Sequence, residues 1–222
     1  MRRTICLNLM TPYEELTDYR RRVSEMYGRV RQPGLSVEER WVQFRRERDA
    51  LFICHPQSAL SDSQKAEFNG LDYFPYNPDL RFVLDVDRNV SPDVFDVELS
   101  DDGLFRIKRF GQVCFEVMGQ PFFLSVFWIL GYGGGVFLPF RDSTNRTETY
   151  GGGRYLLDSV KGVDLGQENS KLVLDFNFAY NPSCAYNFRW HCPLPLPENW
   201  LPVPILAGEK KFDAYESSIM SS

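Results

Sequence analysis

What this chain lacks narrows it before anything else does. Two histidines in 222 residues exclude a metal centre built from several imidazoles. There is no G-x-S-x-G elbow and no H-E-x-x-H helix. Neither glycine cluster has the spacing of a nucleotide-binding loop, which needs a strand and a helix around G-x-G-x-x-G or G-x-x-x-x-G-K-[ST]. The longest apolar run, Phe122–Leu130, falls well short of the roughly 18 residues that cross a bilayer. Met1-Arg2-Arg3 carries the charge of a secretory leader, but the short run Thr4–Met10 ends in no small-residue cleavage site. A basic excess is missing too: the net charge of −5 argues against a phosphate-tracking face and so against nucleic acid. The run Tyr19-Arg20-Arg21-Arg22 lies among Glu14, Glu15 and Glu25 and reads as a solvated helix face. Five scattered cysteines, an odd number, fit reduced thiols better than a disulfide framework. The expectation is a cytoplasmic protein with no cofactor, no membrane and no nucleic acid.

Aromatic residues are abundant instead, 15% of the chain with 18 Phe and 11 Tyr, which favours sheet. The first 70 residues nevertheless read as helical. Thr11-Pro12-Tyr13-Glu14 is a capping box with proline at the first helical position. Leu16, Tyr19, Val23, Met26, Tyr27 and Val30 follow at helical spacing up to Gln32-Pro33-Gly34. A second box, Ser36–Glu39, opens a helix with the stripe Val37, Trp41, Phe44, Leu51 and Phe52, stopped at His55-Pro56. A short third helix is expected over Ser61–Phe68.

From Leu71 the apolar period changes to two. Phe82–Val86, Phe95–Leu99 and Val113–Val117 alternate, with turns at Ser100-Asp101-Asp102-Gly103 and Met118-Gly119-Gln120-Pro121 and a break at Gly111. Phe122–Leu130 reads as a strand covered on both faces, and Val136–Phe140, Arg154–Leu157 and Leu172–Phe176 supply three more. The expected fold is mainly β within an α+β class. It is an antiparallel barrel or curled sandwich of about eight strands over 71–222, with the helical segment 1–70 packed on it as one unit.

The last third carries the candidate chemistry. Gly133–Gly135 and Gly151–Gly153 flank Arg141, Asp142, Thr144, Glu148 and Tyr150, with Arg154 just beyond. Glycine permits positive φ and exposes amide N–H groups to an anion, and Arg141 and Arg154 would add bidentate contacts. A second cluster holds Asp175, Asn177, Asn181, Cys184, Tyr186, His191 and Cys192. These sites support three readings. One is a small-molecule barrel for an organic anion, held by Arg141, Asp142, Thr144, Glu148, Tyr150, Arg154, Asn177 and Asn181. A second is a hydrolase-like enzyme with Glu148 or Asp175 as base and Tyr150 or Tyr186 as acid or oxyanion donor. A third is an interaction module using the proline-rich run Cys192–Pro204. Cys184, His191 and Cys192 make a weaker zinc alternative lacking a fourth ligand; free thiols are expected there.

The stretches PFRDSTNRTETYGGGRYLLD (139–158), LDFNFAYNPSCAYNFRWHCPLPLPENWLPVPILAGE (174–209) and ERDALFICHPQSAL followed by GLDYFPYNPDLRF resemble the family known as domain of unknown function 1684. The resemblance spans about Arg40 to Glu209. It implies that the two late loops, HPQSAL and YFPYNP form one recurring site. His191 stands where the family pattern carries a small polar residue. Ligand, reaction and oligomeric state are not specified by these residues.

Overall fold

A computed structural model describes residues 10–99 and 103–212. Three helices come first: α1 (Pro12–Val30), α2 (Val37–Cys54) and α3 (Asp62–Glu67). Each begins in a capping box, Thr11 with Glu14, Ser36 with Glu39 and Ser61 with Gln64, so the first orphan N–H groups are satisfied locally. His55, held extended before Pro56, closes α2. Val23, Met26, Tyr27 and Val30 of α1 and Trp41, Phe44, Leu51 and Phe52 of α2 are buried.

Eight strands follow among the described residues: β1 (Arg81–Leu84), β2 (Val94–Glu98), β3 (Leu104–Val117), β4 (Gln120–Ile129), β5 (Gly135–Phe140), β6 (Arg154–Asp158), β7 (Gln167–Glu168) and β8 (Lys171–Asp175). The expected α+β class with antiparallel sheet is found. The strands divide into two sheets, one of order β2-β3-β4-β5-β6 and a smaller one of order β1-β8-β7. The division arises because β8 pairs with β1, Arg81 opposite Asp175 and Leu84 opposite Leu172, and not with β6. No closed barrel is formed among the described residues.

Other expectations shift in detail. Gly111 does not break a strand: β3 runs on through it, with a bulge between Arg109 and Gly111. A Cβ at Gly111 would lie 2.3 Å from Val86 Cγ1, so the glycine admits the chain leaving β1. The run Phe122–Leu130 is covered on both faces only at Leu124–Phe127, while Phe123 and Trp128 are exposed. The β3–β4 turn uses Met118 and Gly119, both at positive φ, as a two-residue hairpin requires. The expected turn at 100–102 and the apolar run at 4–9 lie outside the described residues.

An aromatic chain joins the layers. Phe115 and Phe140 meet Phe176 at 5.3 and 5.2 Å between ring centroids, and Phe178 meets Phe44 of α2 at 5.0 Å. Phe44 in turn meets Tyr27 of α1 at 5.3 Å. The helices thus close over the same apolar core as the sheets.

The proline-rich run lies along the larger sheet. Asn199 Nδ2 donates to Ser125 O at 3.0 Å and Pro139 O at 2.8 Å, and its Oδ1 accepts from Ser125 N at 2.8 Å. Arg141 N donates to Asn199 O at 2.9 Å, and Leu201 N to Arg141 O at 2.8 Å. Arg109 clasps Glu198 at 2.6 Å. A segment tied by so many backbone bonds is part of the fold and presents no free polyproline ligand. No described helix is long and apolar enough to cross a membrane.

Candidate functional site

The glycine-flanked loop after β5 proves to be a structural corner. Arg154 at the start of β6 is fully buried. Its Nη2 donates to Asp142 Oδ2 at 2.8 Å and Ile205 O at 3.0 Å, and its Nη1 to the carbonyls of Ala207 and Glu209. Asp142 Oδ1 accepts from Thr144 N at 2.9 Å, and Thr144 and Thr149 share a hydroxyl bond of 2.8 Å. Gly153, at φ +93°, would place a Cβ 2.6 Å from Phe140 O, and its N–H is spent on Tyr150 O. Arg141 lies over the Trp200 ring at 4.6 Å, while Glu148 is exposed. Arg141 and Arg154 therefore form no joint anion clamp: Arg154 is consumed holding 205–209 in place. Tyr150 turns away to donate to Cys184 Sγ at 3.6 Å.

That held segment delivers Glu209 into the core. Arg48 Nη2 of α2 reaches its Oε2 at 2.9 Å, the Tyr186 hydroxyl donates to Oε1, and Asn181 N and Nδ2 add bonds of 3.1 and 3.2 Å. Burial works against the Arg48 charge, yet Glu209 and the surrounding tyrosines together outweigh it and raise the guanidinium pKa. Asn181, expected at a ligand site, and Tyr186, expected as an acid or oxyanion donor, are thereby committed to an internal ion pair. The hydroxyls of Tyr27, Tyr73 and Tyr180 are buried nearby without a hydrogen-bond partner.

A third place is open to solvent. Where the end of α1 and the start of α2 meet the smaller sheet, Arg31, Arg40, Arg81, Glu168, Asp175 and Phe178 help line a cavity of about 80 Å³. Asp175 ends β8 and is 1% exposed. Its Oδ1 accepts from Asn177 N at 3.0 Å and Nδ2 at 2.9 Å. Its Oδ2 has no hydrogen-bond partner and lies 3.7 Å from Arg81 Nε. Burial pushes its pKa up to about 6, against the Asn177 bonds and the Arg81 and Arg40 charges. Asn177 is pinned in turn, exchanging 2.8 Å bonds with the Asn77 backbone and accepting Trp41 Nε1 at 2.9 Å. Arg81 also bonds Glu168 at 2.5 Å, and Arg40 closes the end of α1 on Val30 O at 2.7 Å.

The candidates thus fall in separate places. Asp175 faces the cavity, with Asn177 bonded to it; Asn181 and Tyr186 surround Glu209; Arg141, Asp142, Thr144 and Arg154 build the corner. The cavity arginines carry no mark in the sequence. Arg48 does: it continues the apolar stripe of Trp41, Phe44, Leu51 and Phe52, where a charge demands a buried partner. YFPYNP touches two of these places, through Asn77 and through Phe74 N on Gly208 O at 3.0 Å. HPQSAL meets the loop at Arg189, whose Nη2 donates to Ser58 O at 3.2 Å. Among the described residues no three His, Cys, Asp or Glu groups come together to hold a metal, so Cys184, His191 and Cys192 do not assemble a zinc site with a further ligand.

A family model described as protein of unknown function (DUF1684) matches residues 66–210. The solution NMR structure of an uncharacterized protein of Haloarcula marismortui is 35% identical, with a TM-score of 0.57, covering 78% of this chain and 94% of that one. No curated protein matches.

Proposed function

The chain belongs to the DUF1684 family of proteins of unknown function, and from that premise we propose that it binds a small organic anion in the cavity of Arg31, Arg40, Arg81 and Asp175. The supporting observation is Asp175 Oδ2, a buried carboxylate oxygen with no hydrogen-bond partner. Leaving such a group unsatisfied costs about 1–3 kcal/mol, and buried exceptions of this kind cluster where a ligand completes the site. Three arginines against the carboxylates of Glu168 and Asp175 line the cavity, so its lining favours negative charge. Once protonated, Oδ2 would donate to an oxygen of a ligand whose anion meets Arg81. Protonation of Asp175, with its pKa near 6, removes a repelling charge, so binding tightens as pH falls through 6.

Thermal shift with small mono- and dicarboxylates and inorganic phosphate, at pH 5.5 and 7.5, tests this. A ligand at about 100 times its Kd adds about 2.7 kcal/mol, a rise of several degrees. The rise is expected to be larger at pH 5.5 and to vanish in Arg81→Gln. Hits that persist unchanged in Arg81→Gln place the ligand elsewhere.

The same raised pKa supports a second reading, an enzyme with Asp175 as general base. The hydroxyl that senses Asp175 is that of Tyr76, in place of Tyr150 or Tyr186. A hydrolase and esterase panel on wild type and Asp175→Asn separates the two: turnover lost in the variant favours catalysis, and binding without turnover favours a receptor.

A further inference from the structure

The bonds around the Asp175 cavity are unevenly used. Arg31 spends Nη1 on the Asp164 carbonyl, with the Asp164 carboxylate at 3.7 Å. Arg40 spends Nη1 on Val30 O and Gln32 O at 2.7 and 3.2 Å, and Nε on Ser36 O at 3.4 Å. Arg81 spends Nη2 on Glu168 at 2.5 Å, and its Nε lies 3.7 Å from Asp175 Oδ2. One terminal nitrogen of each guanidinium thus has no bonded acceptor among the described residues: Nη2 of Arg31, Nη2 of Arg40 and Nη1 of Arg81. Against these spare donors stands one spare acceptor, the buried Asp175 Oδ2. Asn177 fixes which oxygen is spare, because its N and Nδ2 both hold Oδ1. The room is also small. A cavity of about 80 Å³ holds roughly five to eight water-sized groups, enough for a tetrahedral oxyanion and too little for a sugar or a base.

We infer that this cavity selects a phosphate that shares one proton with Asp175 Oδ2, either as the free ion or as the head of a small monoester. The inference rests on the anion-cavity reading above and adds to it what decides between anions. The unprotonated phosphate oxygens meet the three arginines, and the remaining P–O–H donates to Oδ2. Sulfate has the same shape but carries no proton near neutrality. Its oxygen would face Oδ2 as one charged acceptor against another. A site built around a hydrogen bond rejects the analogue that lacks it far more strongly than a site built on size. Either side can bring the proton. Below pH 6 Asp175 brings it, since burial raises its pKa to about 6, and both anions are accepted. Above pH 6 the ligand must bring it, which a phosphate, still partly protonated there, can do. The charged groups lining this space are Arg31 at the end of α1, Arg40 of α2, Arg81 of β1 and Glu168 of β7, and the Tyr76 phenol senses the Asp175 charge.

Isothermal titration of the full-length protein with inorganic phosphate, methyl phosphate and sulfate, at pH 5.5 and 7.5 and constant ionic strength, tests this. Phosphate is expected to bind at least about tenfold tighter than sulfate at pH 7.5 and less than about threefold tighter at pH 5.5. In Asp175→Asn the carbonyl oxygen stays on Asn177 and an amide N–H₂ replaces Oδ2, so the site donates at every pH. Its preference at pH 7.5 is expected to fall below about threefold. Methyl phosphate bound like phosphate supports a monoester as the ligand, and its rejection supports the free ion. The inference is overturned if phosphate and sulfate keep one ratio at both pH values, or if Asp175→Asn keeps the preference. Anion binding that is then still lost in Arg81→Gln leaves the cavity reading standing without it. If neither tetrahedral anion binds, the inference falls, and the carboxylate thermal shifts decide the cavity reading separately. Should the Asp175 variant fail to fold, the two ratios in the wild type decide.

Discussion

Glu209 and Asp175 are each 1% exposed, yet the fold surrounds them in opposite ways. Glu209 receives a guanidinium, a phenol and an amide, and both its oxygens are bonded. Asp175 has one oxygen held by Asn177, the other unbonded, and its nearest cation at 3.7 Å. Glu209 ties α2 to the end of the chain and has no bonding capacity left for a ligand. Asp175 opens on a cavity with capacity to spare. Burial alone does not mark a functional carboxylate; burial with a partner missing does.

The largest test of that contrast removes Arg48. In Arg48→Met the Glu209 charge stays buried without its cation, and a loss of about 3–5 kcal/mol is expected in urea unfolding. The double variant Arg48→Met with Glu209→Gln should recover part of it. A loss below about 1 kcal/mol would show that Tyr186 and Asn181 suffice, and the contrast with Asp175 would weaken.

Asp175→Asn should act in the opposite direction. The folded pKa of Asp175 is raised from 3.8 to about 6, so its charged form costs stability in full above about pH 6 and nothing below 3.8. At about 1.4 kcal/mol per pKa unit, the variant is expected to gain about 2–3 kcal/mol at pH 8. That gain should fade as pH falls towards 4. A variant equally destabilised at both pH values would make Asp175 a structural group like Glu209. The smallest effect is expected at the half-exposed pair Arg29–Glu47, which joins α1 to α2 at 2.9 Å. Arg29→Ala should cost no more than about 1 kcal/mol, because water replaces the partner; a larger loss would mean that pairing and not burial sets the scale.

The helices are legible because their signals are local. Thr11 with Glu14 and Ser36 with Glu39 sit within one turn, and each box reads the same in sequence and structure. The division into two sheets is not, since nothing around Arg81 or Asp175 marks the other as its partner. Gly111 reads as a break because a glycine interrupts the period, and only the close passage of Val86 shows that it is a bulge. Asp175 and Asn177 stand out as polar residues in an aromatic run. Their arginines do not, because Arg31, Arg40 and Arg81 converge from the end of α1, from α2 and from β1. Arg154 misleads for a physical reason: a guanidinium beside glycines suits a bound anion and a set of backbone carbonyls equally well.

The Arg48–Glu209 pair spans 161 residues of chain, which gives it a meaning in time. A ribosome adding about 5–20 residues per second exposes Arg48 roughly ten to thirty seconds before Glu209 exists. Through that interval the helical pair carries an unneutralised charge on the face that must become its interior. Arg48 therefore has no carboxylate to pair with until Glu209 is made, and this tie between α2 and the 205–209 segment is among the latest that synthesis can complete.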